Sequence, residues 1–131
     1  MRALLEHATV VAVVGLSADP ARPSHGVARY LQRVGYRIVP VNPNLATVLG
    51  ERAYPSLTHA AGQQRIDVVD VFRRSVFAGA VVDEAIAIGA RLIWLQQGVV
   101  DAAAAARARA AGIPFVMDRC LAVDHQLLEV K

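Results

Sequence analysis

The sequence predicts an open, doubly wound α/β fold built on a five-stranded parallel sheet. Short apolar, β-branched runs recur along the chain. Segments of helical spacing or high alanine content separate most of them. Polar residues and glycines gather just after the runs. Runs that are apolar throughout read as strands buried on both faces, the habit of parallel sheets. Right-handed crossovers then give an expected strand order of 3-2-1-4-5.

The elements follow in order. Thr9–Val14 is an apolar run closed by Gly15 and reads as the first strand. Leu16–Ser24, with serines, an aspartate and two prolines, is a loop. Val27, Tyr30, Leu31 and Val34 fall on one helical face, so His25–Val34 is a predicted helix with Ser24 as its N-cap and Gly35 as its C-cap. Tyr36–Val41 is the second strand, stopped by Asn42-Pro43. An irregular connection with a short helical turn follows. Ile66–Phe72 is the third strand, Gly79–Gly89 a helix and Arg91–Leu95 the fourth strand. Val99–Ala111 is an alanine-rich helix with Asp101 in its first turn, where negative charge is favourable. Ile113–Met117 is the fifth strand, and Val123–Val130 reads as a short last helix.

Composition excludes several classes. A chain of 131 residues is one domain's worth and needs no disulfide or metal to fold. Its single cysteine, Cys120, rules out an internal disulfide framework and a cysteine-rich zinc site. The four histidines lack metal-ligand spacing. With 55% hydrophobic and 19% charged residues, the chain is not disordered. No apolar run approaches the roughly 20 residues of a membrane span. Of the 14 basic residues, all but Lys131 are arginine. No basic run or aromatic stripe points to nucleic acid. Met1–His7 is too short and polar for a signal peptide, so the expected location is cytoplasmic.

In such a sheet, ligands bind beyond the carboxyl ends of the strands, at the switch in strand order. Five segments fall there: Gly15–Gly26, Pro40–Asn44, Phe72–Ser75, Leu95–Gly98 and Asp118–Cys120. The first follows a strand and opens a helix, the phosphate-cradling position. It matches neither GxGxxG nor the Walker pattern. Gly15 allows a close backbone approach, Ser17 and Ser24 offer hydroxyls, and Arg22 a cation. The second segment carries no acid for ribose hydroxyls, which disfavours NAD and suits a ribose bearing a phosphate. Arg73 ends the third strand where a ligand is within reach. Gln96 and Gln97 hydrogen-bond but are poor acids or bases, and Trp94 reads as core or as a stacking platform. Cys120 beside Arg119, with His125 nearby, is either a reactive thiol or a small buried filler. No nucleophile, base and orienting group are assembled.

Several motifs in this order carry a specific resemblance: Val13-Val-Gly-Leu-Ser17, Arg22-Pro-Ser24, Pro40-Val-Asn-Pro43, Asp67-Val-Val-Asp-Val-Phe-Arg73, Trp94-Leu-Gln96 with Gly98, and Met117-Asp-Arg-Cys120. From about Val10 to Leu128 the chain resembles the stand-alone bacterial CoA-binding domain proteins. These are similar to the N-terminal domain of the succinyl-CoA synthetase alpha subunit. The resemblance implies a Rossmann-type fold that binds coenzyme A or an acyl-CoA. Gly15, Ser17, Arg22 and Ser24 would hold the diphosphate. Asn42, Pro43, Phe72 and Arg73 would border the adenosine. Trp94, Gln96 and Gly98 would line the pantetheine path, and Arg119 matches the family motif. The synthetase's phosphorylated histidine lies on a second domain beyond the span of this chain, so binding without catalysis or metal is the expectation. Two alternatives stand beside it: a Cys120-dependent thiol–disulfide enzyme acting on CoA, and a nucleotide-binding regulatory subunit of a larger acyl-CoA ligase.

Overall fold

The computed structural model describes residues 1–130; Lys131 lies outside them. Along the chain run α1 (Arg2–His7), β1 (Val10–Val14), α2 (Pro23–Arg33), β2 (Arg37–Val41), β3 (Thr47–Val48), β4 (Glu51–Arg52), α3 (Leu57–Ala61), β5 (Val68–Val71), α4 (Ser75–Ala87), β6 (Leu92–Leu95), α5 (Ala102–Ala110), β7 (Phe115–Val116) and α6 (Leu121–Leu127). The main sheet is parallel, with five strands in the order β2-β1-β5-β6-β7. Strands β3 and β4 form a small antiparallel ribbon beside it. Among the described residues no helix is long and apolar enough to cross a membrane.

The α/β class and the five-stranded Rossmann-like sheet agree with the expectation; the strand order does not. Counting the five sheet strands along the chain, the order is 2-1-3-4-5 rather than 3-2-1-4-5. The reason is visible at β2. Arg37 N and Val41 O bond towards the β1 side, to Thr9 O at 2.8 Å and Gly15 N at 2.9 Å. Pro40 therefore faces the outer edge, where its nitrogen has no proton to donate. A strand could not form a full ladder there, and proline belongs on edge strands. Tyr54 covers that edge instead, its amide donating to Pro40 O at 3.0 Å while its carbonyl accepts from Asn42 N at 2.9 Å. The third sheet strand must then cross β1 and pair on its free side.

Alternating side chains divide the core in two. Ala12, Val14, Val39, Val69, Val71, Ile93 and Leu95 face α3, α4 and α5. Val11, Val13, Ile38, Val68, Leu92 and Trp94 face α1, α2 and α6. Alanines on α5 let that helix lie close to the sheet. Gly79 lets α4 lie close to α5, since a Cβ there would sit 2.9 Å from the carboxylate of Asp101, at the start of α5. Asp101 is the N-cap of α5, not a first-turn residue, and its carboxylate accepts from Ala104 N at 2.9 Å. Helix α4 starts at Ser75, a turn before the expected Gly79. Helix α1, which the sequence pattern did not mark, is pinned by Leu5, whose carbonyl accepts the buried Tyr36 hydroxyl.

Two aspartates in the third sheet strand's region behave oppositely. Burial alone would raise the Asp67 carboxyl. Donation from Thr9 N and Val10 N at 3.0 Å and from the Thr9 hydroxyl at 3.1 Å, with Arg65 at 3.3 Å, outweighs burial and holds it below the usual range. Asp67 thus staples the start of β1 to the start of β5. Asp70 sits between Val13 and Trp94 in the register, on the α2/α6 face. It is fully buried, and neither carboxylate oxygen has a hydrogen-bond partner. Burial pushes its pKa well up, so the group is held protonated.

The sign of that effect is testable. Above about pH 4 the unfolded chain loses the Asp70 proton while the folded chain keeps it, so Asp70 lowers stability progressively as pH rises. Asp70→Val should stabilise the protein by about 1–3 kcal/mol at pH 8. Urea unfolding across pH should show that gain growing from pH 4 upward. A pH-independent difference between the two proteins would contradict the assignment.

Candidate functional site

The cleft lies at the carboxyl edge of the sheet, where β1 and β5 diverge in their connections. Its floor is one row of residues at the strand ends. Val14 pairs with Val71, and Phe72 N donates to Val14 O at 2.8 Å, which sets Gly15 against Phe72. Gly15 has φ +89°, and a Cβ there would lie 2.5 Å from the Phe72 carbonyl oxygen. Only glycine allows this approach. Gln96, the residue after β6, continues the row. Its side chain is buried and its Oε1 accepts from Leu121 N at 3.0 Å, tying α6 to the floor.

The loop from β1 to α2 forms one wall. Ser24 is not the helix cap; Arg22 holds that position, with Pro23 as the first helical residue. Ser24 is buried and its hydroxyl accepts from Ser17 N at 3.0 Å, closing the loop on itself. Ser17 Oγ accepts from Asp19 N, and Asp19 Oδ1 from Ala21 N, which stiffens the loop further. Asn42 braces it from β2, donating through Nδ2 to Leu16 O at 3.0 Å. The opposite wall comes from Arg73, Arg74, Gln97, Gly98 and Val99. Both guanidinium groups lie over the Phe77 ring, at 5.1 and 5.4 Å from its centroid. Gly98 N donates to Asp118 Oδ1 at 2.7 Å, binding the β6 end to the β7 turn.

The cleft encloses about 820 Å³. Arg22, Arg73 and Arg74 line it, and no carboxylate does. Such a site favours an anion, and planar guanidinium forks suit phosphate. Among the described residues, no cluster of three or more His, Cys, Asp or Glu could hold a metal.

Residues 9–126 match the CoA binding domain family. The chain belongs to that family. Protein YneT of Bacillus subtilis (strain 168) is 39% identical over 125 residues, covering 95% of this chain and 91% of YneT. The structure of cell-free ID.343 from Thermus thermophilus is 40% identical with a TM-score of 0.91, covering 97% of this chain and 95% of that one. The fold also recurs in a larger protein. The apo form of the dinucleotide forming acetyl-coenzyme A synthetase 1 of Ca. Korarchaeum cryptofilum superposes with a TM-score of 0.75 at 20% identity, over 87% of this chain and 27% of that one.

In this CoA-binding domain the structure brings together Gly15, Ser17, Arg22, Ser24, Phe72, Arg73, Gln96 and Gly98 around the cleft. It does not bring Asn42, Pro43, Trp94 or Arg119 into the cleft walls. Asn42 stands behind the loop, and Pro43 is exposed beside it. Trp94 is buried in the core, its indole N–H donating to Arg119 O at 2.8 Å. The Arg119 guanidinium grips Asp124 of α6, with Nη2 to Oδ1 at 2.9 Å. Cleft residues absent from the expected set are Pro23, Val27, Arg74, Gln97, Val99 and Cys120. Arg74 and Gln97 stood in the flagged strand-end segments, so position alone could have included them. Cys120 lines the cleft, but His125 does not pair with it. The His125 ring bonds Tyr30 through Nδ1 at 2.7 Å and belongs to a different cavity.

Gly15→Ala should be costly. The φ of +89° and the contact with Phe72 O together predict a loss of at least about 2 kcal/mol, measurable by urea unfolding. A loss under 0.5 kcal/mol would show that the β1–β5 approach is not tight in solution.

Proposed function

We propose that this chain binds coenzyme A, free or acylated, at the carboxyl edge of its sheet, without chemistry of its own. One observation carries the reading: the large cleft at the strand-order switch is lined by three arginines and no acid, in a member of the CoA binding domain family. The diphosphate is assigned to the Gly15–Ser24 loop, with Arg22 at the helix start. Asn42 and Pro43 stand next to that loop and border the adenosine, whose 3′-phosphate explains the absence of a ribose carboxylate. Arg73, beside Phe72, supplies the second cation. The pantetheine arm runs over Gln96 and Gly98. Trp94 and Arg119 support this path from the core and from α6 rather than by contact.

Isothermal titration with CoA tests the reading. Binding should weaken with rising salt, and Arg22→Ala or Arg73→Ala should each weaken it about tenfold or more. Absence of heat with both CoA and acetyl-CoA would overturn it.

A second reading has one observation in its favour. Cys120 is half-buried and lines the same cleft. Its thiolate would attack CoA disulfide, form a protein–CoA mixed disulfide and release one CoA thiolate. Intact-mass spectrometry after exposure to CoA disulfide should show one CoA adduct, absent in Cys120→Ser. No adduct on the wild-type protein removes this reading and leaves the first intact.

A further inference from the structure

One cation of the cleft has no role so far. Arg22 belongs to the loop wall. Arg73 adjoins the same loop, since a Cβ at Gly15 would meet the Arg73 Cδ at 3.2 Å. Arg74 lines the cleft too, and its surroundings are unusual. It holds the N-cap position of α4, but its side chain makes no capping bond. Its carbonyl accepts from Phe77 N at 2.8 Å, a turn that brings Phe77 back against both arginines. Their guanidinium carbons lie 5.1 and 5.4 Å from the centre of that one ring. The ring is 43% exposed and belongs to neither half of the core, so its packing is with the two cations.

Among the described residues, neither guanidinium pairs with a carboxylate. Arg119 shows the contrast, for Asp124 occupies two of its nitrogens. Arg73 and Arg74 keep their forks for a ligand. Counting charges then separates the possible ligands. A diphosphate diester carries two negative charges, which Arg22 and Arg73 meet. CoA carries a third phosphoryl group, a monoester on the ribose, and above about pH 6 a monoester is doubly charged. One ribose ring separates it from the diphosphate. A cation for it must therefore adjoin the diphosphate site without being part of it. Arg74 fits, next to Arg73 in the chain and held on the same ring.

We propose that Arg74, held beside Arg73 on the Phe77 ring, binds the ribose phosphate monoester and makes the cleft select CoA over dephospho-CoA. Arg73 stands between the monoester and the diphosphate and serves both. Phe77 is a positioning residue: its ring keeps the two forks side by side, where a flexible pair would have to be ordered on binding. This selectivity rests on the cleft being the CoA site.

Paired calorimetric titrations of the full chain with CoA and with dephospho-CoA test it. The wild-type protein should bind CoA about tenfold or more tightly than dephospho-CoA. Arg74→Ala should weaken CoA about tenfold and dephospho-CoA much less, so that the preference shrinks to about twofold or below. Phe77→Leu, which removes the ring and keeps an apolar side chain, should shrink the preference part of the way. Equal affinity of the wild-type protein for the two ligands would overturn the assignment. So would an Arg74→Ala variant that loses the same factor for both, which is the behaviour of a general electrostatic contribution. Either result, with both ligands still bound, leaves the CoA cleft standing. Binding of neither ligand removes the cleft reading and the selectivity together.

Discussion

The contact between Gly15 and the Phe72 carbonyl is the constraint on which the site depends. It brings the end of β1 against the end of β5 more closely than any side chain permits. Once that approach is fixed, the chain leaving β1 has little choice of path. Gly15 N is spent on Val41 O, Leu16 is driven into the core and its carbonyl is met by Asn42, and Ser17 N turns to Ser24. These bonds hold the loop to one side of the cleft. A cleft of about 820 Å³ remains between the loop and the Arg73–Arg74 segment. The cleft is thus a consequence of backbone packing, and side chains then give it a sign.

That sign differs at the two ends of the sheet. Arginines without acids line the carboxyl edge, while glutamates line the cavity at the amino edge, around Tyr30 and His125. Helix α6 takes part in both. Its start is held at the cleft by Gln96 and its Cys120 cap, and its interior places His125 in the opposite cavity.

Much of this was legible in the sequence because buried parallel strands need long apolar runs and their ends need polar ones. The five strand-end segments follow from that rule, and all of the cleft lining except Val27 and Val99 comes from four of them: 15–26, 72–75, 95–98 and 118–120. The strand order was misread: local apolar patterning does not carry it, and the one signal for it, Pro40, whose missing N–H marks β2 as an edge, was not used. Other roles depend on partners far along the chain. Ser24 was expected as a cap because serine before a helix usually is one, yet Ser17, seven residues earlier, claims its hydroxyl. Arg119 looked available to a phosphate until Asp124 and the Trp94 indole are seen to hold its two ends. Helix α1 has no apolar stripe of its own and exists by docking onto Tyr36.

The central claim is that the arginine-lined cleft, and not the cavity at the amino end, receives the CoA diphosphate. A crystal structure of the protein grown with CoA tests this most directly. The account predicts diphosphate density against the amides of the Gly15–Ser24 loop, with Arg22 and Arg73 in contact. Density for CoA at the Tyr30–His125 cavity, or across another face with the Gly15 loop empty, would contradict it.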